Sequence, residues 1–566
     1  MKLLDALTLI GARTAGQPFE VSLACGIEPL HLRTLLAGEL CARLPGARPA
    51  VTTGSFDDLA GNIRRAGDLG AGTLAVVIEW ADLDPRLGLR RLGGWRVDQL
   101  DEIVAEAEAT LERLSGLILT AAVDRRVVVA QPTLPLPPLF PPPPGQDGPT
   151  ALALRAAVAG AMQRLARGGV HVINAEALDA ESSGATRRDV QAELTSGFPY
   201  TLAHAGQLAA ALAELIDARP PRKGLITDLD QTFWAGTLDE AGSDGVRWDL
   251  DSGTQRHGIY QQFLASLASA GVLIAVASRN DPDQVAAALG RRDLAIDPSS
   301  IFPVEVGWGR KSDSVARILA AWNVAPAAVV FVDDDRLELD EVRRRFPGVE
   351  TRALPPGDDG MWALLLELRS LFGKAAVQPE DSLRLASLRA APAVRAGITA
   401  CPDGDDFLAS VAGVLEFGVD GPRRDRALEL FGKTNQFNLN GRRVDQAALA
   451  EAMLLTVSYE DRYGPLGMVG ALLVATNDEG AQVTAWALSC RAFNRRVEAH
   501  MLSYLFDRLG VEEVRLAYRP TRRNQALETF LVGLLGKPLG QEVRITRARL
   551  TERAPALVHR VREAGG

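Results

Sequence analysis

Residues 224–236 read Gly-Leu-Ile-Thr-Asp-Leu-Asp-Gln-Thr-Phe-Trp-Ala-Gly, GLITDLDQTFWAG. The apolar run Leu225-Ile226-Thr227 ends in Asp228, with Asp230 two residues on. Buried parallel strands have this form, and in open α/β sheets the reactive groups lie just past the carboxyl ends of the strands. Alternate residues of an extended chain share a face, so Asp228 and Asp230 can aim at one pocket while Leu229 turns away. Two carboxylates held that close do not both ionise cheaply without a cation. Mg²⁺, which prefers oxygen ligands, resolves the conflict. One carboxylate is then free to attack phosphorus or a carbonyl while the other moves a proton.

Reading outward, two further apolar runs end in chemistry. Val272–Ala277 leads to Ser278-Arg279-Asn280, a hydroxyl followed by backbone donors at a helix start, which suits a phosphate oxygen. Ala328–Val332 leads to Asp333-Asp334-Asp335. Between them, Gly307-Trp308-Gly309-Arg310-Lys311-Ser312 places Lys311 at the head of a helix running to Trp322, and another helix is expected around Tyr260–Ala270. The intervals Asp230–Ser278 and Ser278–Lys311 leave no room for a large lid, so the site stays open to bulky substrates and something else must exclude water.

The flanks divide the chain into three expected domains: 1–218, 222–372 and 380–566. Strands at Thr73–Ile78, Arg126–Ala130 and His171–Asn174, with a helix over Asp98–Leu114, predict a doubly wound N-terminal sheet. This domain has no Gly-Asp-Ser nucleophile motif, and Cys25 reads as a small buried hydrophobe. The proline-rich stretch 132–149 excludes helix interior and central strand and is expected as a stiff surface loop. Pro220-Pro221 stop the preceding helix. Beyond a helical section at 380–396, strands at Ala471–Ala475, Val483–Ser489 and Val514–Tyr518, with a helix from about Asn494 to Leu509, predict a mixed α+β sheet.

The bulk properties narrow the function classes. A chain of 566 residues with 47% hydrophobic and 23% charged residues is an ordinary folded protein of several domains. Net charge −9 speaks against nucleic acid as the main partner. Four scattered cysteines without a CxxC fit a reducing, cytoplasmic setting and no zinc site. No apolar run approaches the ~18 residues of a membrane span, and the N-terminus, with Asp5, makes a poor signal peptide.

The ordered set DLDQT, Ser278, Lys311 and Asp333-Asp334 resembles the haloacid-dehalogenase (HAD) superfamily of phosphotransferases. The resemblance makes Asp228 the nucleophile and Asp230 the acid/base. Ser278 and Lys311 would hold the phosphoryl group, with Thr232, Arg279 and Asn280 as further substrate-binding candidates. Asp228 and Asp230, completed by Asp333 or Asp334, would bind Mg²⁺. Together with VASRND, KTNQFNLN, DRYG, LSCR followed by Arg495 and Glu498, and YRPTRRN, the chain resembles the FkbH-like proteins of polyketide biosynthesis. That implies an SGNH-hydrolase-like N-terminal domain without catalysis, a HAD-like domain without a large cap, and a GNAT-like acyltransferase domain. It also implies transfer of a glyceryl unit from 1,3-bisphosphoglycerate to the phosphopantetheine thiol of an acyl carrier protein, with dephosphorylation. In that setting Cys490 becomes the acyl-accepting thiol, aided by Arg491 and a helix N-terminus, and Lys433 and Asn435 become acyl-site hydrogen-bonding candidates. The departures are Gln231 for the family's usual Asn, Phe233-Trp234-Ala235-Gly236 for LWGG, and Asn494 and Arg496 where glycines are common. Other readings are a plain small-molecule phosphatase whose C-terminal domain only binds, and a non-catalytic carrier-docking protein.

Overall fold

The computed structural model describes residues 1–566 except 69–71, 93–94, 140–141, 218, 375–376, 378–382, 391–403, 422, 435, 443, 445, 478–479, 494, 522–523, 541–542 and 565–566. The chain forms two compact units, Met1–Pro220 and Pro221–Gly566. It is a mixed α/β protein with two wholly parallel sheets and one mixed sheet.

The first unit holds β1 (Gln17–Cys25), β2 (Ala47–Thr53), β3 (Thr73–Val77), β4 (Val127–Ala130) and β5 (His171–Val172), parallel throughout in the order β2-β1-β3-β4-β5. Every residue of β4 is buried, as a continuous apolar run requires when helices cover both faces. The helix expected over 98–114 is longer, Leu100–Ala122. Strand β2 carries Arg48 and Pro49 and buries no residue fully, which suits an edge and hides it from an apolar-run search. Residues 131–139 of the proline-rich stretch are irregular, and Pro149 opens the helix Pro149–Arg167, where its missing N–H costs nothing.

In the second unit, β6 (Gly224–Thr227), β7 (Leu273–Ser278), β8 (Ile301–Val306), β9 (Val329–Asp333) and β10 (Glu350–Ala353) form a parallel sheet, order β10-β9-β6-β7-β8. Strand β6 is central, with β7 on one side and β9 on the other, so the order reverses at β6 and a crevice opens at its carboxyl end. Leu225, Ile226, Val330 and Phe331 are fully buried. Burial contributes roughly 1.5–3 kcal/mol for each such large apolar side chain. Gly224 is required by close approach: a Cβ there would lie 2.4 Å from the Trp322 ring. The edge strands β8, with Pro303 and Glu305, and β10, Glu-Thr-Arg-Ala, were not legible because neither is an apolar run.

The third sheet holds β11 (Val414–Val419), β12 (Met453–Asp461), β13 (Gly464–Asn477), β14 (Gly480–Leu488), β15 (Glu513–Leu516), β16 (Val543–Thr546) and β17 (Arg560–Glu563), order β16-β15-β14-β13-β12-β11-β17. Its pairs are antiparallel except β14–β15 and β11–β17. Of the helical section expected at 380–396, residues 383–390 are helical and the rest lies outside the described residues. No helix among the described residues is long and apolar enough to cross a membrane.

Candidate active site

Asp228 leaves β6 with its N–H still bonded to Val332 O (3.0 Å), so β6 and β9 stay in register to their ends. This brings Asp228 and Asp333 together. One carboxylate oxygen from each of Asp228, Asp333 and Asp334 lies within 4.8 Å of the others. Asp228 and Asp333 are buried and Asp334 is exposed, which leaves the cluster one open side. Lys311, the first residue of the helix Lys311–Trp322, donates to Asp228 Oδ1 (2.7 Å) and Asp333 Oδ2 (2.6 Å). It also pairs with Glu338.

Three carboxylates thus pair with one ammonium, and a fourth, Asp334, converges on two of them. Burial pushes the Asp228 carboxyl up to about 6, against the pull of Lys311. Burial, and then repulsion from Asp228, raises Asp333 to about 8. Burial alone would lower the Lys311 ammonium, but Asp228, Asp333 and Glu338 together raise it, so it stays charged. A hard divalent cation fits this set: three oxygen donors converge and an excess of negative charge remains. Asp228, Asp333 and Asp334 are the residues that would hold it.

Asp230 departs from expectation. It is not part of the convergent cluster. Its Oδ1 accepts from Trp234 Nε1 (2.9 Å) and Leu238 N (3.3 Å), and its Oδ2 from Asn280 Nδ2 (3.1 Å). Alternation fails because the strand ends at Thr227 and the chain turns, with Gln231 in the left-handed region at φ 55°. The Asp230 carboxylate, expected as a ligand, thus lies outside the convergent set of Asp228, Asp333 and Asp334. Leu229, as anticipated, is buried in the core.

The other expected residues divide. Ser278 ends β7, buried, and its Oγ accepts from Asn280 Nδ2 (3.0 Å). Asn280 thus ties Ser278 to Asp230, where a direct phosphate contact was expected. Thr232 is fully buried and exchanges hydrogen bonds with Asp334, accepting from its N–H (3.1 Å) and donating to its Oδ1 (3.2 Å). Its own carbonyl accepts from the buried His257 ring (3.0 Å). Thr232 thus holds Asp334, a candidate ligand, in place. Arg279 is half-exposed, pairs with Glu338 (3.0 Å) and Glu341 (3.6 Å), and donates to Gly309 O (3.1 Å). Glu338 went unread in the sequence; its only signal was its place in the first turn of the helix Arg336–Arg345, which follows the Asp333–Asp335 run.

Around the carboxyl end of β14, motifs far apart in sequence meet. Strands β14 and β15 pair only from Ala481–Val483 to Val514–Leu516, and beyond that they part. The chain's own residues 437–439 fill the fork: Leu439 N donates to Trp486 O (2.9 Å) and Leu488 N to Phe437 O (3.1 Å). Two buried side chains lock the segment. Asn440 Nδ2 bridges Thr484 O and Ala517 O, and Asn524 Nδ2 bridges Asn438 O and Arg519 O. Cys490 opens the short turn Cys490–Ala492 just past β14; its side chain lies outside the described residues, as do Asn435, Asn494 and Cys401. Arg495 is buried, donates to Asp461 Oδ2 (3.1 Å) and Arg491 O (2.9 Å), and so ties the turn to the end of β12. The helix that follows is Val497–Leu509. Lys433 is exposed and paired with Glu429 one helical turn back, a solvated-surface arrangement. His500 and His559 stack at 5.3 Å, and burial lowers both.

The first unit carries a buried polar network at the ends of its strands. Glu79 accepts from Thr133 Oγ1 (2.6 Å) and Tyr200 Oη (2.8 Å), and Thr133 meets His204 (2.9 Å). Burial, reinforced by Asp82, pushes the Cys25 thiol up to about 12, so it stays protonated.

No protein-family profile matches the chain, and no curated protein does. Among solved structures, the chain is similar in fold to the N-terminal part of protein BF1531 from Bacteroides fragilis, described as containing a phosphatase domain complexed with Mg. The identity is 16%, the TM-score 0.50, and the match covers 66% of this chain and 100% of that one. A match to malonyl-CoA decarboxylase from Rhodopseudomonas palustris (14% identity, 53% of this chain and 74% of that one) has a TM-score of 0.17 and carries no weight.

Proposed function

We propose that the protein is a Mg²⁺-dependent enzyme of the HAD phosphotransferase class that works as an FkbH-like glyceryl transferase and phosphatase. Its substrate is 1,3-bisphosphoglycerate, and its acceptor is the phosphopantetheine thiol of an acyl carrier protein in polyketide or antibiotic biosynthesis. The carrying observation is the convergence of Asp228, Asp333 and Asp334 on one point with Lys311 between them. The fold likeness to a phosphatase-containing structure supports it.

In this reading Asp228 attacks the phosphorus of the phosphate ester, the substrate oxygen leaves with a proton from Asp230, and water then frees phosphate from the aspartyl group. Asn280 holds Asp230 and Ser278 in place for that proton transfer. Lys311 and Ser278 hold the phosphoryl oxygens. Mg²⁺, when bound, neutralises charge on the transferring group. At the second centre the Cys490 thiolate attacks the acyl-phosphate carbonyl, phosphate leaves, and the resulting thioester exchanges with the carrier's thiol at little net cost. The three-part composition, SGNH-like, HAD-like and GNAT-like, belongs to the same proposal, with the first part non-catalytic. Since 437–439 already occupy the Trp486 and Leu488 main-chain groups, the carrier's arm reaches Cys490 past the turn at 490–492, not by pairing with β14.

Incubation with holo acyl carrier protein, 1,3-bisphosphoglycerate and Mg²⁺ should add a glyceryl mass to the carrier, and with Asp228→Asn the added mass should keep the ester phosphate. Full loading with the dephosphorylated glyceryl unit by that variant sinks the Asp228 assignment. Phosphate release with no loading of the carrier would favour a small-molecule phosphatase.

A further inference from the structure

The geometry points to a docking surface for a negatively charged protein on the rim of the phosphatase site, between the helices Lys311–Trp322 and Arg336–Arg345. The partner's identity as the carrier protein rests on the proposed function; the surface itself does not. A groove of about 550 Å³ lies there, lined by Arg310, Ser312, Leu337, Glu341, Arg344 and Arg345 among others. Its walls are the outward sides of the elements whose inward residues build the site. Lys311 and Glu338 point in, while their neighbours Arg310, Ser312 and Leu337 line the groove. Arg279 joins the two regions, pairing with Glu338 of the site and Glu341 of the groove and bonding to Gly309.

Two features mark the rim as an unfilled contact. Leu337 is 79% exposed and Trp308, flanked by Gly307 and Gly309, is 67% exposed. Large apolar groups beside a site without a lid are groups that a partner would cover. The charges are also unbalanced. Asp340 is taken by Arg343, Glu341 by Arg279 and Ser312, and Asp313 by Arg345. Arg310 and Arg344 have no carboxylate within ion-pair distance among the described residues; Arg310 acts on Asp313 only at longer range. From Leu337 to Arg344, both lining the groove, the helix rises about 10 Å, close to the diameter of one partner helix. An acidic, partly apolar helix therefore fits, covering the mouth that the fold leaves open.

The test uses the full chain and a fluorescently labelled holo acyl carrier protein. Anisotropy should show binding that weakens as NaCl rises from 50 to 200 mM. Arg310→Glu/Arg344→Glu should weaken it tenfold or more and Trp308→Ala severalfold, while p-nitrophenyl phosphate hydrolysis stays within twofold. Carrier affinity within twofold of wild type in the charge-reversed protein overturns the inference. So does a change in self-association on charge reversal, which would make the rim a contact between copies. Binding is read without turnover, so failure of Asp228→Asn to stop phosphate release would refute the proposed function and leave this result standing.

Discussion

Replacing Lys311 by Met removes the one cation from a buried group of carboxylates while keeping much of its volume. Asp228 Oδ1 and Asp333 Oδ2 lie 2.7 and 2.6 Å from Nζ and are almost wholly buried. Breaking a buried ion cluster by deleting one partner costs about 3–5 kcal/mol. At about 2–4 °C per kcal/mol for a domain of this size, the metal-free variant should melt roughly 6–20 °C below wild type at pH 8. Mg²⁺ should then act in opposite proportion. With the lysine gone, the carboxylates offer their oxygens without competition, and a nearby positive charge no longer repels the ion. Affinity should rise at least tenfold, about 1.4 kcal/mol. The Mg²⁺-induced rise in melting temperature should therefore be larger in the variant, although activity is lost. The pH dependence has a definite sign. These carboxyls have folded-state values raised above their unfolded ones, so they are tolerated while protonated, and stability is lost as pH climbs through the raised values. The deficit should shrink at pH 5.5. Thermal melts with and without Mg²⁺ at both pH values test this, and a variant that melts like wild type without metal, or gains no more from Mg²⁺, refutes the reasoning.

Three further outcomes follow from the same geometry. In wild type, Mg²⁺ displaces protons from Asp228 and Asp333, raised to about 6 and 8, so calorimetric affinity should fall steadily between pH 8 and pH 6 with proton release on binding. Asn280→Ala should lower kcat about 10- to 100-fold with Mg²⁺ affinity unchanged, because it frees Asp230, which stands outside the convergent cluster; a matching loss of Mg²⁺ affinity would return Asp230 to the ligand set. Arg495→Met should cost about 3–5 kcal/mol in urea unfolding by stranding buried Asp461, and Asp461→Asn/Arg495→Met together should recover much of it.

What the sequence disclosed was the part encoded in apolar runs. Strands β6, β7 and β9 end in their polar residues where expected, because a strand buried on both faces must be continuously apolar and its first polar residue marks the exit. Edge strands carry no such mark: β10 is Glu-Thr-Arg-Ala and β2 holds Arg48 and Pro49. The direction of Asp230 was misread because period-two alternation was extended past the strand into a turn with a left-handed Gln231. Glu338 and Asn280 act through partners 27 and 50 residues distant, Lys311 and Asp230, a relation that no local pattern holds. The filling of the β14–β15 fork by residues 437–439 is likewise a long-range pairing, though the motif itself was singled out.

The most direct test of metal-centred phosphoryl chemistry at Asp228 is release of the ester phosphate of 1,3-bisphosphoglycerate, distinguished from its acyl phosphate, by wild type and Asp228→Asn, each with Mg²⁺ and with excess chelator. Release by wild type with Mg²⁺ alone, falling by a thousandfold or more in the other three conditions, is the expected result. Equal release by Asp228→Asn, or by wild type in chelator, would contradict it.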